Sequence, residues 1–399
     1  MPTKKALIIG CGVAGPAVAL FLKRAGLDAE IYEARSAAEE DAGFFLNLAP
    51  NGMNVLKTLG IDHHLEREGF AATGISFFNR KGKQIGALDN SLDKARYGVR
   101  GSVVKRSELQ GVLRREVEQQ GVASFFDKKL EAVEVLGERS VVAHFRDGTT
   151  ARGDLLICCD GIHSRGRQLV FPESPKPAYL GMIDCGGFAH LPELRHHSGP
   201  QRMTFGTRAF FGYVVKPSGE VYWFSNVPWP GEPGRDELGT LSNEAWKRRL
   251  LELHQDDPPP ISQIIRATPV TAMGKWPLRD LPPLATWHRG PICVVGDAAH
   301  ATSPSAGQGA SLALEDAIVL GKCLRDVADV AQAFTTFQNL RKARVEAAVR
   351  QARRSGSRKI PHSVMGRFRD LMLPLFLRVA ASSAEKGYAY KVDWGERVT

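Results

Sequence analysis

The sequence predicts an α/β fold, on three observations. Residues 6–9 (ALII), 155–159 (LLICC) and 292–295 (ICVV) are apolar runs too short and too branched for helices, and they suit buried strands. Each run stops abruptly, at Gly10, at Asp160-Gly161 and at Gly296-Asp297, and these stops lie more than 100 residues apart. In an open α/β sheet, ligands collect beyond the carboxyl ends of strands, so one extended ligand touching all three is the economical expectation.

The first run opens a βαβ unit. Gly10, Gly12, Ala14 and Gly15 form a Gly-rich turn before an apolar helix that runs through Leu22. A second strand, LDAEIYE, ends in Glu33, 23 positions after the first glycine. Strand, GxGxxG, helix and a distant acid together form the dinucleotide fingerprint. The glycines permit a tight turn and close approach to a pyrophosphate, and the acid takes a pair of ribose hydroxyls. Arg35 lies two residues further on, as an adenosine contact or a surface arginine.

The stretch GFFLNLAPNGMNVLKTLG, residues 43–60, has a Pro-Asn-Gly entry to a short helix. Strand-like text with a turn at Lys81-Gly82 fills about 73–101. Arg106 then precedes a helix for which Ser107 is the expected N-cap, with Gln110 completing a capping box. Alternating strands lead to Asp160-Gly161, and FPESPKP, 171–177, reads as a linker. Beyond it, to about 283, come aromatic-rich strands. Alternation sets Val221, Trp223 and Ser225 on one face and Tyr222, Phe224 and Asn226 on the other. One face can be core while the other roofs a flat apolar ligand; Phe211, Tyr213, Trp223 and Phe224 are the candidate substrate contacts.

After the third strand run, Pro304, Gly307 and Gly309 line a loop that lets backbone approach a ligand closely. Leu312, Leu314, Ala317, Ile318 and Leu320 recur at helical spacing behind it. A Gly-lined loop before a helix N-terminus suits an electron-rich or anionic group, because first-turn amides point outward unpaired. His300, beside the loop, reads as a hydrogen-bonding core residue.

The net charge of +10 is concentrated rather than spread. Between Arg341 and Lys359 stand eight Lys/Arg and one acid, Glu346, which reads as the solvated face of one C-terminal helix rather than a nucleic-acid patch. The apolar turn LMLPLFL beyond it is broken by Pro374 and too short to span a bilayer. The first residues lack a signal-peptide pattern. Cys11, Cys158, Cys159, Cys185, Cys293 and Cys323 form no CxxC pair and no metal-ligand spacing. They read as reduced packing residues of a cytoplasmic protein without a metal site.

Taken together, these motifs resemble the class A flavoprotein monooxygenases, the para-hydroxybenzoate-hydroxylase-like family, over about residues 5–325. The resemblance implies FAD as cofactor, its ADP half on Gly10–Gly15 and Glu33, and its ribityl chain on Asp297 after Gly296. It also implies the pyrimidine end of the flavin beside Pro304, Gly307 and Gly309. The family's R-x-x-L-x-x-x-L arginine matches Arg106, and its DG motif, which serves FAD and transient NAD(P)H, matches Asp160 and Gly161. Gly166 departs from that motif, where a hydrophobic residue is common. Phe44 and Phe45 replace the family's small residues beside the flavin ring.

The implied architecture is a discontinuous Rossmann-like FAD-binding domain (1–72, 102–175 and 286–340), an inserted mixed or antiparallel β-sheet substrate domain (73–101 and 176–285), and a C-terminal helical segment (341–399). With no second GxGxxG, NADPH or NADH is expected as a visiting reductant of a single-component enzyme. The implied reaction hydroxylates an aromatic, phenolic or polyketide-like small molecule through a C4a-hydroperoxyflavin. Alternatives on the same fold are a flavin reductase or dehydrogenase, and a halogenase, since Trp223–Pro228 half-echoes the W-x-W-x-I-P signature with Ser225 in place of the second Trp. The expected partners are a small aromatic molecule and O2, with no nucleic acid, in a monomer or homodimer.

Overall fold

The computed structural model describes residues 3–37, 44–137, 140–234, 237–357 and 385–398. Two large sheets carry the α/β fold. The first has six strands, in the order His288–Arg289, Ile292–Val294, Leu155–Cys158, Lys5–Ile9, Asp28–Tyr32 and Ala123–Phe125. All neighbours are parallel except the first pair. Ile9 pairs with Cys158 and Cys158 with Val294, so the three strands with abrupt stops lie side by side and end level. Helices Ala14–Arg24 and Gly309–Asp326 cover one face, crossing where a Cβ on Gly321 would stand 2.8 Å from Phe21 Cβ. Leu7, Ile8, Val18, Leu20, Leu156, Val294, Leu314 and Ile318 are solvent-free within this core.

The second sheet has seven strands, in the order Met273–Asp280, Ala178–His190, Glu220–Pro228, Phe210–Val215, Gln201–Phe205, Gly74–Asn79 and Gln84–Asp89. It is antiparallel throughout except for one parallel pairing, Gln201–Phe205 on Gly74–Asn79, which brings the early hairpin into the later sheet. Gly82 takes φ +74° in that hairpin's turn, as the Lys81-Gly82 reading requires.

Strand alternation splits this sheet into two unlike faces. One packs Phe211, Tyr213 and Trp223 under helices Asn243–Leu253 and Ile261–Ala267, with Trp246, Leu250 and Ile264. The other turns Phe205, Phe210, Tyr222 and Phe224 toward Phe45, Phe70 and Val103 of the first half.

The C-terminal helix Val330–Ser357 corrects the reading of its basic residues as a solvated face. Arg341 is fully buried, pairing with Asp316 at 2.8 Å and Glu315 at 2.6 Å. Arg344 grips Glu315 through two nitrogens, and Arg353 grips the buried Asp280. Three of the eight basic residues, Arg341, Arg344 and Arg353, therefore form ion pairs that bolt this helix to the sheet-covering helix Gly309–Asp326 and to the second sheet, while Arg350 and Arg354 lie exposed. The apolar turn LMLPLFL falls outside the described residues. Residues 385–398 dock back, with Trp394 against Phe21 (5.3 Å) and Tyr390 under Arg344 (4.0 Å). Among the described residues no helix is long and apolar enough to cross a membrane. All six cysteines are free and buried.

A groove at three strand ends

The groove begins where Lys5–Ile9 turns into helix Ala14–Arg24. Gly10 has φ +103°, and a Cβ there would stand 2.6 Å from the Cys159 carbonyl oxygen; a Cβ on Gly15 would stand 1.9 Å from the Gly10 oxygen. These two glycines are demanded by backbone crossing backbone. Gly12 differs: nothing lies within 4 Å of its Cβ position, which leaves an open cradle at the helix start. Glu33, at the end of the next strand, accepts the amides of Cys11 (2.7 Å) and Arg35 (3.0 Å), so its carboxylate sits at the lip of that cradle. The Arg35 side chain is exposed.

Beside it, Asp160 accepts the Gly166 amide at 3.0 Å while its Oδ1 is buried with no partner. Burial raises its pKa above the usual carboxylate range, and the hydrogen bonds from Ser164 and the Gly166 amide only partly offset this. Gly161, at φ +80°, again faces open space. The departure at Gly166 has a local cause, since a Cβ there would stand 2.2 Å from Cys158 Sγ. Cys158 supplies the apolar bulk from the strand instead. Arg167, fully buried, donates to the Ala298 carbonyl at 2.8 Å and so ties this turn to the third strand end.

At that third end, Gly296 (φ +62°) turns the chain, and Asp297–His300 forms one helical turn where the sequence suggested open loop. The Asp297 carboxylate is exposed, whereas His300 is buried on Asp316. Asp316 Oδ2 also accepts the Gly296 amide (3.1 Å), so one buried carboxylate fixes both sides of the turn. Pro304–Ala306 follows as a 3-10 turn, and Gly307 takes φ +58° before helix Gly309–Asp326. Asn51, fully buried, donates to Gln308 in that loop (3.2 Å) and to Glu315 (2.6 Å).

Arg106 is exposed at the first position of helix Arg106–Gln119, and its amide donates to the Phe44 carbonyl. The N-cap is Lys105, not Ser107: Glu108 rather than Gln110 reaches back, to the Lys105 amide at 3.0 Å. Gln110 is instead buried. The helix starts two residues earlier than the Ser/Gln pattern implies because the preceding strand, Ser102–Lys105, carries the chain straight in.

Three of the four candidate substrate aromatics do not face the groove. Phe211 stacks on Trp223 (5.3 Å), the Trp223 indole donates to Thr268 Oγ1 (2.8 Å), and Tyr213 meets His197 (3.0 Å), all on the helix-covered face. They are core, as hydrophobic aromatics without a ligand-facing register must be. This placement also removes the lead residue of the halogenase echo from any ligand surface. Phe224 does point toward the groove side, near Phe45 (6.2 Å). Phe44 stands there too, with Trp276, Asn47 and Gln201, which sequence patterning passed over. Phe44 meets Trp276 edge-on at 4.3 Å, and Asn47 exchanges hydrogen bonds with Gln201.

Comparison with known proteins now decides the family. The family profile described as FAD binding domain matches residues 3–352, most of the chain. The chain belongs to that family, and within it to the class A aromatic hydroxylases. Over 353 residues it is 30% identical to the FAD-dependent urate hydroxylase of Klebsiella pneumoniae, covering 88% of this chain and 89% of the relative. It is also 30% identical over 332 residues to the 6-hydroxynicotinate 3-monooxygenase of Pseudomonas fluorescens, covering 80% and 82%. Klebsiella pneumoniae HpxO, solved with FAD and uric acid, superposes with a TM-score of 0.82 at 26% identity, covering 96% of this chain and 93% of that one. The protein is an FAD-dependent monooxygenase.

The groove fits FAD on its own chemistry. It offers an open glycine cradle, a lip carboxylate for hydroxyls, an exposed Asp297 where a polyol would pass, and at Asp160 Oδ1 a buried acceptor without a partner among the described residues.

Proposed function

We propose that this monooxygenase takes two electrons from NADH or NADPH and uses O2 to place one oxygen atom on an electron-rich carbon of a small aromatic heterocycle, the second oxygen leaving as water. The observation that carries the reading is the level alignment of Gly10, Asp160-Gly161 and Gly296-Asp297 on three neighbouring strands. The reading assigns residues 1–72, 102–175 and 286–340 to holding the cofactor, and 73–101 and 176–285 to roofing the substrate. Residues 341–357 and 385–398, the described part of the C-terminal segment, brace the whole. The urate and hydroxynicotinate named for the relatives support a nitrogen heterocycle.

In this reading Gly10, Gly12, Ala14 and Gly15 carry the pyrophosphate on the first-turn amides of helix Ala14–Arg24. Glu33 takes ribose hydroxyls, Arg35 and Arg106 contact the FAD, and Asp297 takes ribityl hydroxyls. Gly296, Pro304, Gly307 and Gly309 keep side chains away from the ring, while Asp160 and Gly161 close the middle of the groove. When bound, FAD supplies the oxygen activation; the chain supplies orientation and a dry wall. Phe224 and its neighbours exclude water from the substrate, and the first-turn amides of Gly309–Asp326 face negative charge near the pyrimidine end. Six buried free thiols suit a reducing cytoplasm.

The test is direct. Purified protein should release FAD, not FMN, on denaturation. Supplied with NAD(P)H and O2, it should add 16 mass units to a member of a panel of hydroxylated azaheterocycles. NAD(P)H consumption yielding only peroxide across that panel would reduce the protein to a flavin oxidoreductase.

A further inference from the structure

Asn47 and Gln201 come from different sheets and meet beside the cofactor loop. Asn47 sits on Phe45–Leu48 and Gln201 on Gln201–Phe205. Gln201 Nε2 donates to Asn47 Oδ1 at 2.7 Å, and Asn47 Nδ2 donates back to Gln201 Oε1 at 3.3 Å. Gln201 is 5% exposed, and Asn47 is half-buried. A Cβ on Gly307 would stand 3.8 Å from Asn47 Cβ, which puts the pair against the loop that borders the flavin ring in the reading above. Around it the same sheet face is apolar, with Met203, Phe205, Phe210 and Phe224. A second polar pair on that face, Asn226 to Asp184 at 2.7 Å, has its donor committed to a carboxylate.

Two carboxamides joined by reciprocal hydrogen bonds form a closed donor–acceptor ring. The bond from Gln201 is the shorter of the two and the bond from Asn47 the longer. A lactam edge, N–H beside C=O, carries the same donor–acceptor pair as a carboxamide. Such an edge can take the place of one partner and pair both the donor and the acceptor of the other. A phenol fits less well, because its single oxygen does not present a donor and an acceptor on adjacent atoms, and a carboxylate offers acceptors only, set against Oδ1 or Oε1.

We propose that the Asn47–Gln201 pair is the specificity-determining edge of the substrate site, selecting a ring that bears a cyclic amide over its phenolic isostere. The proposal rests on the monooxygenase reading and names its substrate class. Such rings are also chemically apt, because the lactim tautomer makes the neighbouring ring carbon electron-rich.

The matched probes are 6-hydroxynicotinate and 4-hydroxybenzoate, which share shape, oxygen and carboxylate but differ in the ring N–H. Uric acid serves as a second lactam. Each is titrated into the FAD-loaded, oxidised protein and followed by flavin absorbance, with no turnover. At least one lactam should bind about 10-fold more tightly than 4-hydroxybenzoate, the discrimination expected of a site built to pair an N–H. Asn47→Leu and Gln201→Leu should shrink that ratio to under about 3-fold, and Gln201→Glu, which keeps size but loses the donor, should do the same. Flavin content and melting temperature identify any variant that fails to fold, and Gln201→Asn, which keeps the amide, should retain the preference in part. Equal binding of phenol and lactam, no binding of either, or a preference that survives the folded leucine variants would each overturn the proposal. Those outcomes leave the monooxygenase reading standing; a protein that retains no FAD would remove that reading first.

Discussion

Arg341 Nε donates to Asp316 at 2.8 Å with both side chains shut off from solvent. Asp316 in turn holds His300 and the Gly296 amide, so the C-terminal helix reaches the cofactor turn through a single carboxylate. Removing one member of such a buried group strands the others. Arg341→Met is expected to cost about 3–5 kcal/mol of folding stability, measured by denaturant titration. Burial alone would raise the pKa of Asp316, but His300 and Arg341 outweigh it and hold the carboxyl below its ordinary value of 3.8. A depressed acid contributes stability above its unfolded value and loses it as pH falls through the folded one. Wild-type stability should therefore fall steeply below about pH 4, and Asp316→Asn should show a shallower fall. Equal acid slopes would mean that other carboxylates dominate.

The same helix offers a paired comparison of two arginines three residues apart. Arg353 holds the fully buried Asp280 through two nitrogens, while Arg350 is largely exposed and meets Glu346 at 3.6 Å. Arg353→Glu should cost about 1–3 kcal/mol, part of the interaction being screened at the half-exposed guanidinium. Arg350→Glu should stay within about 0.5 kcal/mol. Thermal melts of the two variants that coincide would return the helix to the status of a solvated face.

Neighbouring aromatics on one strand should separate stability from binding. Trp223→Ala empties a fully buried site stacked on Phe211 and is expected to cost about 3–5 kcal/mol. Phe224→Ala removes a ring from the groove-side face and should act chiefly on substrate KM, with a smaller loss of stability. A Trp223 variant with a normal melting curve and a raised KM would reverse the assignment of faces.

What the sequence revealed of this site, and what it hid, follows from the range of each signal. The strand-end motifs are local: apolar run, glycine and acid occupy consecutive positions, and φ values of +103° at Gly10 and +62° at Gly296 require the residues that stand there. Alternation correctly divided Trp223 from Phe224, but alternation has no sign, and it cannot say which face meets helices and which meets the groove. The sign comes from Trp246 and Ile264, in helices that pack from one side only. The Asn47–Gln201 pair and the Arg341–Asp316 pair join residues far apart in the chain, and neither has a periodicity. The one local trace was Glu315-Asp316, two adjacent acids inside the apolar run Leu312–Leu320, which require buried cations from elsewhere. A count of basic residues over 341–359 does not distinguish Arg350 and Arg354, which are exposed, from Arg341, Arg344 and Arg353, which the helix turns inward onto acids.

Asp297 is exposed at the end of its strand, where the reading puts the ribityl hydroxyls of FAD. Asp297→Ala should weaken FAD retention by about 5–150-fold, the equivalent of about 1–3 kcal/mol for an acceptor lost from a buried hydroxyl. Fluorescence of released flavin on dilution measures it. Glu33→Ala should lose less, since its carboxylate lies part-exposed and already accepts two backbone amides. Unchanged retention in the Asp297 variant would put the ribityl chain elsewhere.

The last prediction concerns coupling between substrate and reduction. In the proposed reaction, with no second GxGxxG in the sequence, NAD(P)H would approach the flavin on a side that substrate does not fill, and the loop from Pro304 to Gly309 would allow both arrangements. Gly307 has φ +58°, a region that costs most L-residues about 1–2 kcal/mol, and its amide donates to the Pro304 carbonyl at 2.9 Å. There is room for a Cβ, with Asn47 Cβ the nearest atom at 3.8 Å, so the constraint is backbone rather than space. Substrate binding should bias the two arrangements by its differential affinity. NAD(P)H oxidation is expected to be slow alone and to rise at least about 10-fold with true substrate, or about 1.4 kcal/mol of barrier. Gly307→Val, β-branched and ill-suited to the left-handed region, should lose most of that stimulation while retaining much of its FAD. Gly307→Asn adds a side chain of similar size yet tolerates positive φ, so it should keep more of the stimulation than valine does. If both variants lose it equally, bulk beside Asn47 rather than loop conformation is the cause; if wild-type oxidation is the same with and without a substrate that is demonstrably hydroxylated, the loop does not gate reduction at all.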